Sequence, residues 1–200
     1  MKKVGILTHY YNSTNYGGVL QSYALCRVLE DLGAQGEQVC YQMYAPPQSK
    51  RELLRKLLDV KQLSQRVRRR LAPEPAALAG RRAAFARFRE EQVPHSGAVY
   101  THETIGECAP LYDAFVTGSD QVWNPLNWQD AYLLTFVPPD KPKFSYAASV
   151  SRQSLTEAQQ ADFRRCLAGY KGVSVREQRA VELLSPLSPV PVEQSLDPTM

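Results

Sequence analysis

Four short stretches hold the side chains best suited to chemistry. The first runs from His9 to Gly18 (HYYNSTNYGG) and ends in Asn15-Tyr16-Gly17-Gly18. Paired glycines let backbone approach a ligand, and free N–H groups at the start of a helix attract an anion. The alternative is purely structural, with Asn15 capping a helix and the glycines serving a turn. The second is Gly118-Ser119-Asp120-Gln121. It offers a hydroxyl, a carboxylate and an amide, and Asp120 there is suited to act as a general base on a sugar hydroxyl or to hydrogen-bond it in place. A self-satisfied turn is the competing reading. Third, Trp123 and Trp128 flank a Pro- and Asn-rich loop and could stack on a sugar face or pack beneath it. Fourth, Arg176 follows the apolar run Gly172–Val175, where a guanidinium can clamp a carboxylate or phosphate through two parallel hydrogen bonds or pair with Glu177. His9 is suited to hold an anion or relay a proton near neutral pH. His95 and His102 are assigned no role.

Several chemistries find no support. There is no GxGxxG, and no acidic residue closes the second strand, which disfavours nicotinamide and flavin cofactors. GxSxG is absent, so no esterase nucleophile elbow is expected. No His/Cys/Asp/Glu group has metal-ligand spacing, and Cys26, Cys40, Cys108 and Cys166 show no CxxC; they read as buried thiols of a reducing compartment.

The elements that must position these groups alternate. Lys3–Thr8 reads as a strand. Val19, Leu20, Tyr23, Ala24, Val28, Leu29 and Leu32 recur at helical spacing, with Gly33 as the stop, and Gln38–Met43 reads as the next strand. Further strands are expected at 114–117, 143–148, 172–175 and 190–192. Thr101 is expected to cap a short helix, and Ser154 with Glu157 has the spacing of a capping box. Helices between successive strands predict a layered α/β fold on a mostly parallel sheet, whose ligands bind outside the carboxyl ends of the strands. His9, Gly118 to Gln121, Ser149 and Arg176 all fall at such ends.

The stretch from about 46 to 92 is read as a helical insertion that leaves the sheet and returns. Lys50 to Arg70 within it carries nine basic residues against Glu52 and Asp59, a local charge of +7 in a chain whose net is +4. A solvated helix face is the bland reading, and peripheral contact with an anionic membrane the functional one. Without interleaved aromatics or a recognised motif, nucleic acid is not expected as a partner. No signal peptide or apolar run of about eighteen residues is visible, which predicts a cytoplasmic protein, at most resting on the inner face of the membrane.

Taken in order, Gly5-Ile6-Leu7-Thr8, Asn15 to Leu25 (NYGGVLQSYAL), Tyr112 to Asn124 (YDAFVTGSDQVWN), Phe144 to Ser149 (FSYAAS), Val173 to Glu177 (VSVRE) and Leu196-Asp197-Pro198-Thr199 resemble the polysaccharide pyruvyl transferase family. The resemblance implies a Rossmann-like three-layer domain, one half of a GT-B-like pair facing each other across a cleft. It implies transfer of pyruvate from phosphoenolpyruvate, as a ketal, to a sugar or lipid-linked glycan acceptor, with phosphoenolpyruvate as donor substrate and no cofactor. It assigns residues 1–200 to the N-terminal domain, with the C-terminal domain absent, and makes the activity of these 200 residues alone uncertain. Catalytic work is expected of Asp120 and His9. Substrate contacts are expected of Asn15, Tyr16, Gly17, Gly18, Gly118, Ser119, Gln121, Trp123 and Arg176. Two rivals stand beside this reading: a GT-B glycosyltransferase using a nucleotide sugar, and a non-catalytic module presenting the basic helix to a membrane.

Overall fold

The computed structural model describes residues 1–43 and 76–200. The basic stretch 50–70 and its expected membrane contact lie outside them.

Among the described residues, seven parallel strands form one sheet: β1 (Lys2–Leu7), β2 (Ala34–Tyr41), β3 (His95–Tyr100), β4 (Ala114–Thr117), β5 (Lys143–Ala148), β6 (Tyr170–Val175) and β7 (Val192–Gln194), in the order β3-β2-β1-β4-β5-β6-β7. The sheet grows from β1 towards β3 in one direction and from β4 towards β7 in the other. Right-handed crossovers must then cover opposite faces. The helices obey this rule. On one face lie α1 (Tyr16–Asp31) and α2 (Ala76–Gln92); on the other lie α3 (Glu157–Leu167) and α4 (Gln178–Leu184). This is a Rossmann-like three-layer α/β domain, as expected.

Strand alternation divides the core. Val4 and Ile6 of β1, Cys40 of β2 and Val116 of β4 pack with Leu25 and Cys26 of α1. Their neighbours Leu7, Val39, Tyr41 and Phe115 point the other way, into a larger cluster with Phe163 and Leu167 of α3 and Leu184 of α4. All four cysteines are free and buried, and burial pushes the thiols of Cys26 and Cys108 up to about 12.

One local expectation, the capping box of α3, is corrected. α2, the described end of the stretch 46–92, leads into β3 and is seated on α1 through Tyr16–Phe85 and Tyr23–Phe88 ring contacts at 4.7 and 5.7 Å; residues 46–75 of that expected insertion lie outside the described residues. The stretch from His95 to Tyr100 is a strand, although Gly97, Ala98 and Val99 are exposed and supply little apolar signal. The capping box that opens α3 is Thr156 with Gln159: Thr156 Oγ1 accepts from Gln159 N, and Gln159 Oε1 accepts from Thr156 N at 2.9 Å. Ser154 lies two residues too early. Gly33 does end α1, at φ +80°, where the left-handed backbone is free for glycine alone.

Candidate active site

The two halves of the sheet part between β1 and β4. This is the topological switch point of the strand order, beyond whose strand ends α/β folds bind ligands. Leu7 pairs with Thr117 at the end of this seam. The next residues of each strand, Thr8-His9 and Gly118-Ser119-Asp120, therefore leave the sheet side by side.

The Gly118 turn is built into the sheet by buried polar contacts. Gly118 has φ +106°, and a Cβ there would stand 2.2 Å from the Tyr146 carbonyl oxygen of β5. Ser119 is fully buried. Its N–H donates to Gln21 Oε1 at 3.1 Å, and its carbonyl accepts from Thr8 Oγ1 at 2.8 Å. Gln21 Nε2 closes the ring by donating to Thr8 Oγ1 at 2.8 Å. The side chain of α1 residue Gln21 thus ties the end of β1 to the turn after β4. Asp120, at φ +77°, anchors itself by accepting from Gln121 N, and its carbonyl accepts from Ser149 N beyond β5, both at 2.8 Å.

This frame puts Asp120 and His9 together. His9 Nδ1 stands 3.7 Å from Asp120 Oδ2, and each side chain is about one quarter exposed. The imidazole edge rests on the buried Tyr132 ring, with centroids 4.9 Å apart. The carboxyl of Asp120 is held below the usual carboxylate range, first by His9 and also by the Gln121 N–H and the Arg176 charge, against the opposing effect of partial burial. Asp120 is consequently an anion at neutral pH, open to solvent at one edge, with a neighbouring imidazole suited to take or return a proton.

Arg176 follows β6 and reaches the same rim. Its Nη1 lies 3.4 Å from Asp197 Oδ2, and its Nε lies 3.7 Å from Glu177 Oε1. Asp197 Oδ2 also accepts from Ser119 Oγ at 2.8 Å, so one carboxylate joins the Arg176 guanidinium to the Gly118 turn. Burial is the largest single influence on Asp197 and acts upward. Hydrogen bonds from Thr199 and Ser119, with the Arg176 charge, together outweigh it and hold the group below its ordinary value. Glu177 accepts a short hydrogen bond from Ser149, whose hydroxyl also meets that of Ser151 at 2.7 Å. Glu177 is thereby fixed beside the arginine.

The first loop meets the site only in part. Asn15 is the α1 cap: its Oδ1 accepts from Gly17 N at 2.9 Å and Gly18 N at 3.5 Å, so these two N–H groups are engaged by the cap. Gly18 does face the site, since a Cβ there would come within 3.2 Å of the His9 carbonyl and 3.5 Å of Asp120 Oδ2. Tyr16 turns away, its ring on Phe85 and under the Arg81 guanidinium at 4.9 Å. Gln121 is exposed at the rim. Trp123 is corrected outright: only 1% exposed, it packs against Phe163 and Tyr170 and donates Nε1–H to the Tyr132 carbonyl, so it has no face to offer a sugar. Residue types and spacing assign no role to Gln21 or Asp197. Gln21 sits in a helical apolar pattern as one polar residue among many. Asp197-Pro198-Thr199 does carry a turn signal, with Asp197 Oδ1 accepting from Thr199 N and Oγ1, but nothing in it points to Ser119.

Among the described residues, no group of three or more His, Cys, Asp or Glu side chains could hold a metal ion. No helix of the described residues is long and apolar enough to cross a membrane.

The family model for polysaccharide pyruvyl transferase matches residues 15–200. The chain belongs to the polysaccharide pyruvyl transferase family, a family of transferases. The match takes in the α1 start, the Gly118 turn, Arg176 and Asp197, which are the parts joined at the rim. No curated protein matches the chain significantly. Among solved structures, that of a diketoreductase ("Substrate-directed dual catalysis of dicarbonyl compounds by diketoreductase") is similar at 10% identity and a TM-score of 0.32, over 98% of this chain. The match covers 65% of the length of the diketoreductase chain.

Proposed function

We propose that this domain supplies one wall of a cleft in which phosphoenolpyruvate gives its pyruvyl group, as a ketal, to a sugar hydroxyl pair of a cell-surface glycan precursor. The supporting observation is that Asp120, His9 and Arg176 share one rim at the β1–β4 switch point in a chain of this family. In this reading the Arg176 guanidinium holds the donor carboxylate or phosphate. Asp120 takes the proton of an attacking hydroxyl, and His9 beside it passes the proton on.

Atoms and protons balance in this transfer. The methylene carbon of the enol phosphate gains a proton and becomes methyl. Two sugar hydroxyls form C–O bonds to the former C2, and the C–O bond to phosphate breaks. The two hydroxyl protons account for the one gained by carbon and the one leaving with phosphate. A second wall, from another domain, would surround the donor with further cations and exclude water. Charge attraction is weakest in open solvent, so an unclosed site should act slowly. An acceptor still attached to a lipid would place the reaction at the inner face of the membrane.

Titration of the protein with phosphoenolpyruvate, followed by amide chemical shifts, tests the site. Shifts are expected at Gly18, at Gly118 to Gln121 and at Arg176. Changes confined to the opposite ends of the strands, around Lys2, Ala34 and Tyr170, would reject it.

A further inference from the structure

We propose that Asp197 is a positioning residue, which aims the Arg176 guanidinium into the cleft and locks it to the Gly118 turn. The proposal rests on the reading of this rim as the donor site. Asp197 lies beyond β7, yet each of its carboxylate oxygens is committed. Oδ1 accepts from Thr199 N and Thr199 Oγ1, at 3.1 and 2.7 Å, which fixes the plane of the carboxylate. Oδ2 accepts from Ser119 Oγ at 2.8 Å and meets Arg176 Nη1 at 3.4 Å. A residue needed only to close its own turn would require the first pair and not the second.

The geometry also says which part of the arginine is left to work. Glu177 faces Nε and Asp197 faces Nη1, while among the described residues no hydrogen bond or ion pair falls on Nη2. The guanidinium is rigid and planar, so fixing two of its corners sets the direction of the third. Nη2 is then the corner presented to an anion. A long flexible side chain held in this way loses less freedom when it binds, which favours affinity without any new contact. The partners are far apart in the chain: Ser119 comes from the β4 end, Arg176 from β6, and Asp197 from the segment after β7. Asp197 therefore also fixes the distance between the Arg176 cation and the Asp120 base, which follows Ser119 directly.

The test is a double-mutant cycle on phosphoenolpyruvate binding to the whole protein, with Asp197→Asn, Arg176→Ala and the pair. Asp197→Asn keeps the size and loses the charge. It is expected to weaken binding roughly tenfold, and to weaken it no further once Arg176 is already alanine, because residues acting through one another are not additive. Equal losses in both backgrounds would show that Asp197 acts independently of Arg176 and would overturn the proposal. Unchanged binding in Asp197→Asn alongside weakened binding in Arg176→Ala would overturn it too, and would leave the donor site standing. Unchanged binding in Arg176→Ala would overturn the donor site and this inference together. Should Asp197→Asn not fold, Thr199→Val is the second variant. It removes one donor to Oδ1 at an exposed position and is expected to weaken binding roughly two- to threefold. No change there would overturn the proposal.

Discussion

The side chain on which most depends is Asp120, and its environment makes a pH prediction. Its folded pKa lies below the ordinary value because His9 stands beside it. A depressed carboxylate contributes stability that is present above the unfolded pKa, about 3.9, and is lost as pH falls through the lower folded value. Asp120→Asn should therefore flatten the acid side of a stability–pH curve, read as urea midpoints between about pH 3 and 5. If Asp120 is the base of the proposed pyruvyl transfer, the same substitution should lower kcat by about a hundredfold, the lower end of what a positioned general base contributes. His9→Gln separates the two residues. Without the imidazole the Asp120 pKa should rise, and the acid limb of the rate–pH profile should move to higher pH. An unmoved limb would mean that His9 does not govern the titration of Asp120. Single residues also mark where legibility stops. Asp120, His9 and Arg176 are visible in the sequence because they directly follow apolar strands. Residue type alone leaves Trp123 free to stack on a sugar or to pack beneath its loop, and only the tertiary contacts with Phe163 of α3 and Tyr170 of β6 decide for packing.

Among the elements, the turn after β4 and the cap of α3 differ in how much tertiary structure leans on them. Gly118→Ala must fit a methyl 2.2 Å from a backbone oxygen at φ +106°, with no flexible side chain to yield. It should cost about 3 kcal/mol or more and disturb the Asp120 loop. Thr156→Ala loses one arm of an exposed capping box and should cost about 1 kcal/mol without touching the site. Urea denaturation of both variants would check the contrast, and near-equal losses would contradict it. Helices are readable wherever an apolar stripe meets a stop, as in α1 with Gly33. The box at Thr156 is easily misplaced because Ser154–Glu157 and Thr156–Gln159 share one spacing, and only backbone geometry chooses between them. β3 is hard to see because an edge strand with Gly97 and exposed Val99 buries too little to leave an apolar pattern.

At the scale of the molecule, chain order conceals which strands are neighbours. That β1 adjoins β4 is fixed by crossover handedness and by the packing of both faces, and it creates the rim that no local pattern contains. The same arrangement makes the two cores interdependent. β1, β2 and β4 each send alternate residues to the α1–α2 face and to the α3–α4 face. Neither face can lose its strands while the other stays folded, so the described domain should unfold as one cooperative unit. Leu25→Ala empties part of the smaller cluster and Phe163→Ala part of the larger, each from a residue at most 2% exposed. Losses of about 2–5 kcal/mol are expected for each, with a double variant close to the sum because the sites lie on opposite faces. Trp123 belongs to the larger cluster, so its fluorescence reports the α3–α4 face, whereas far-UV dichroism reports every element. In Leu25→Ala, on the far side of the sheet from Trp123, the two signals should still move to the same lower midpoint. A fluorescence transition left at its original position while dichroism shifted would show that the faces melt separately, and that the sheet does not couple α1 to the end of β6 that carries Arg176.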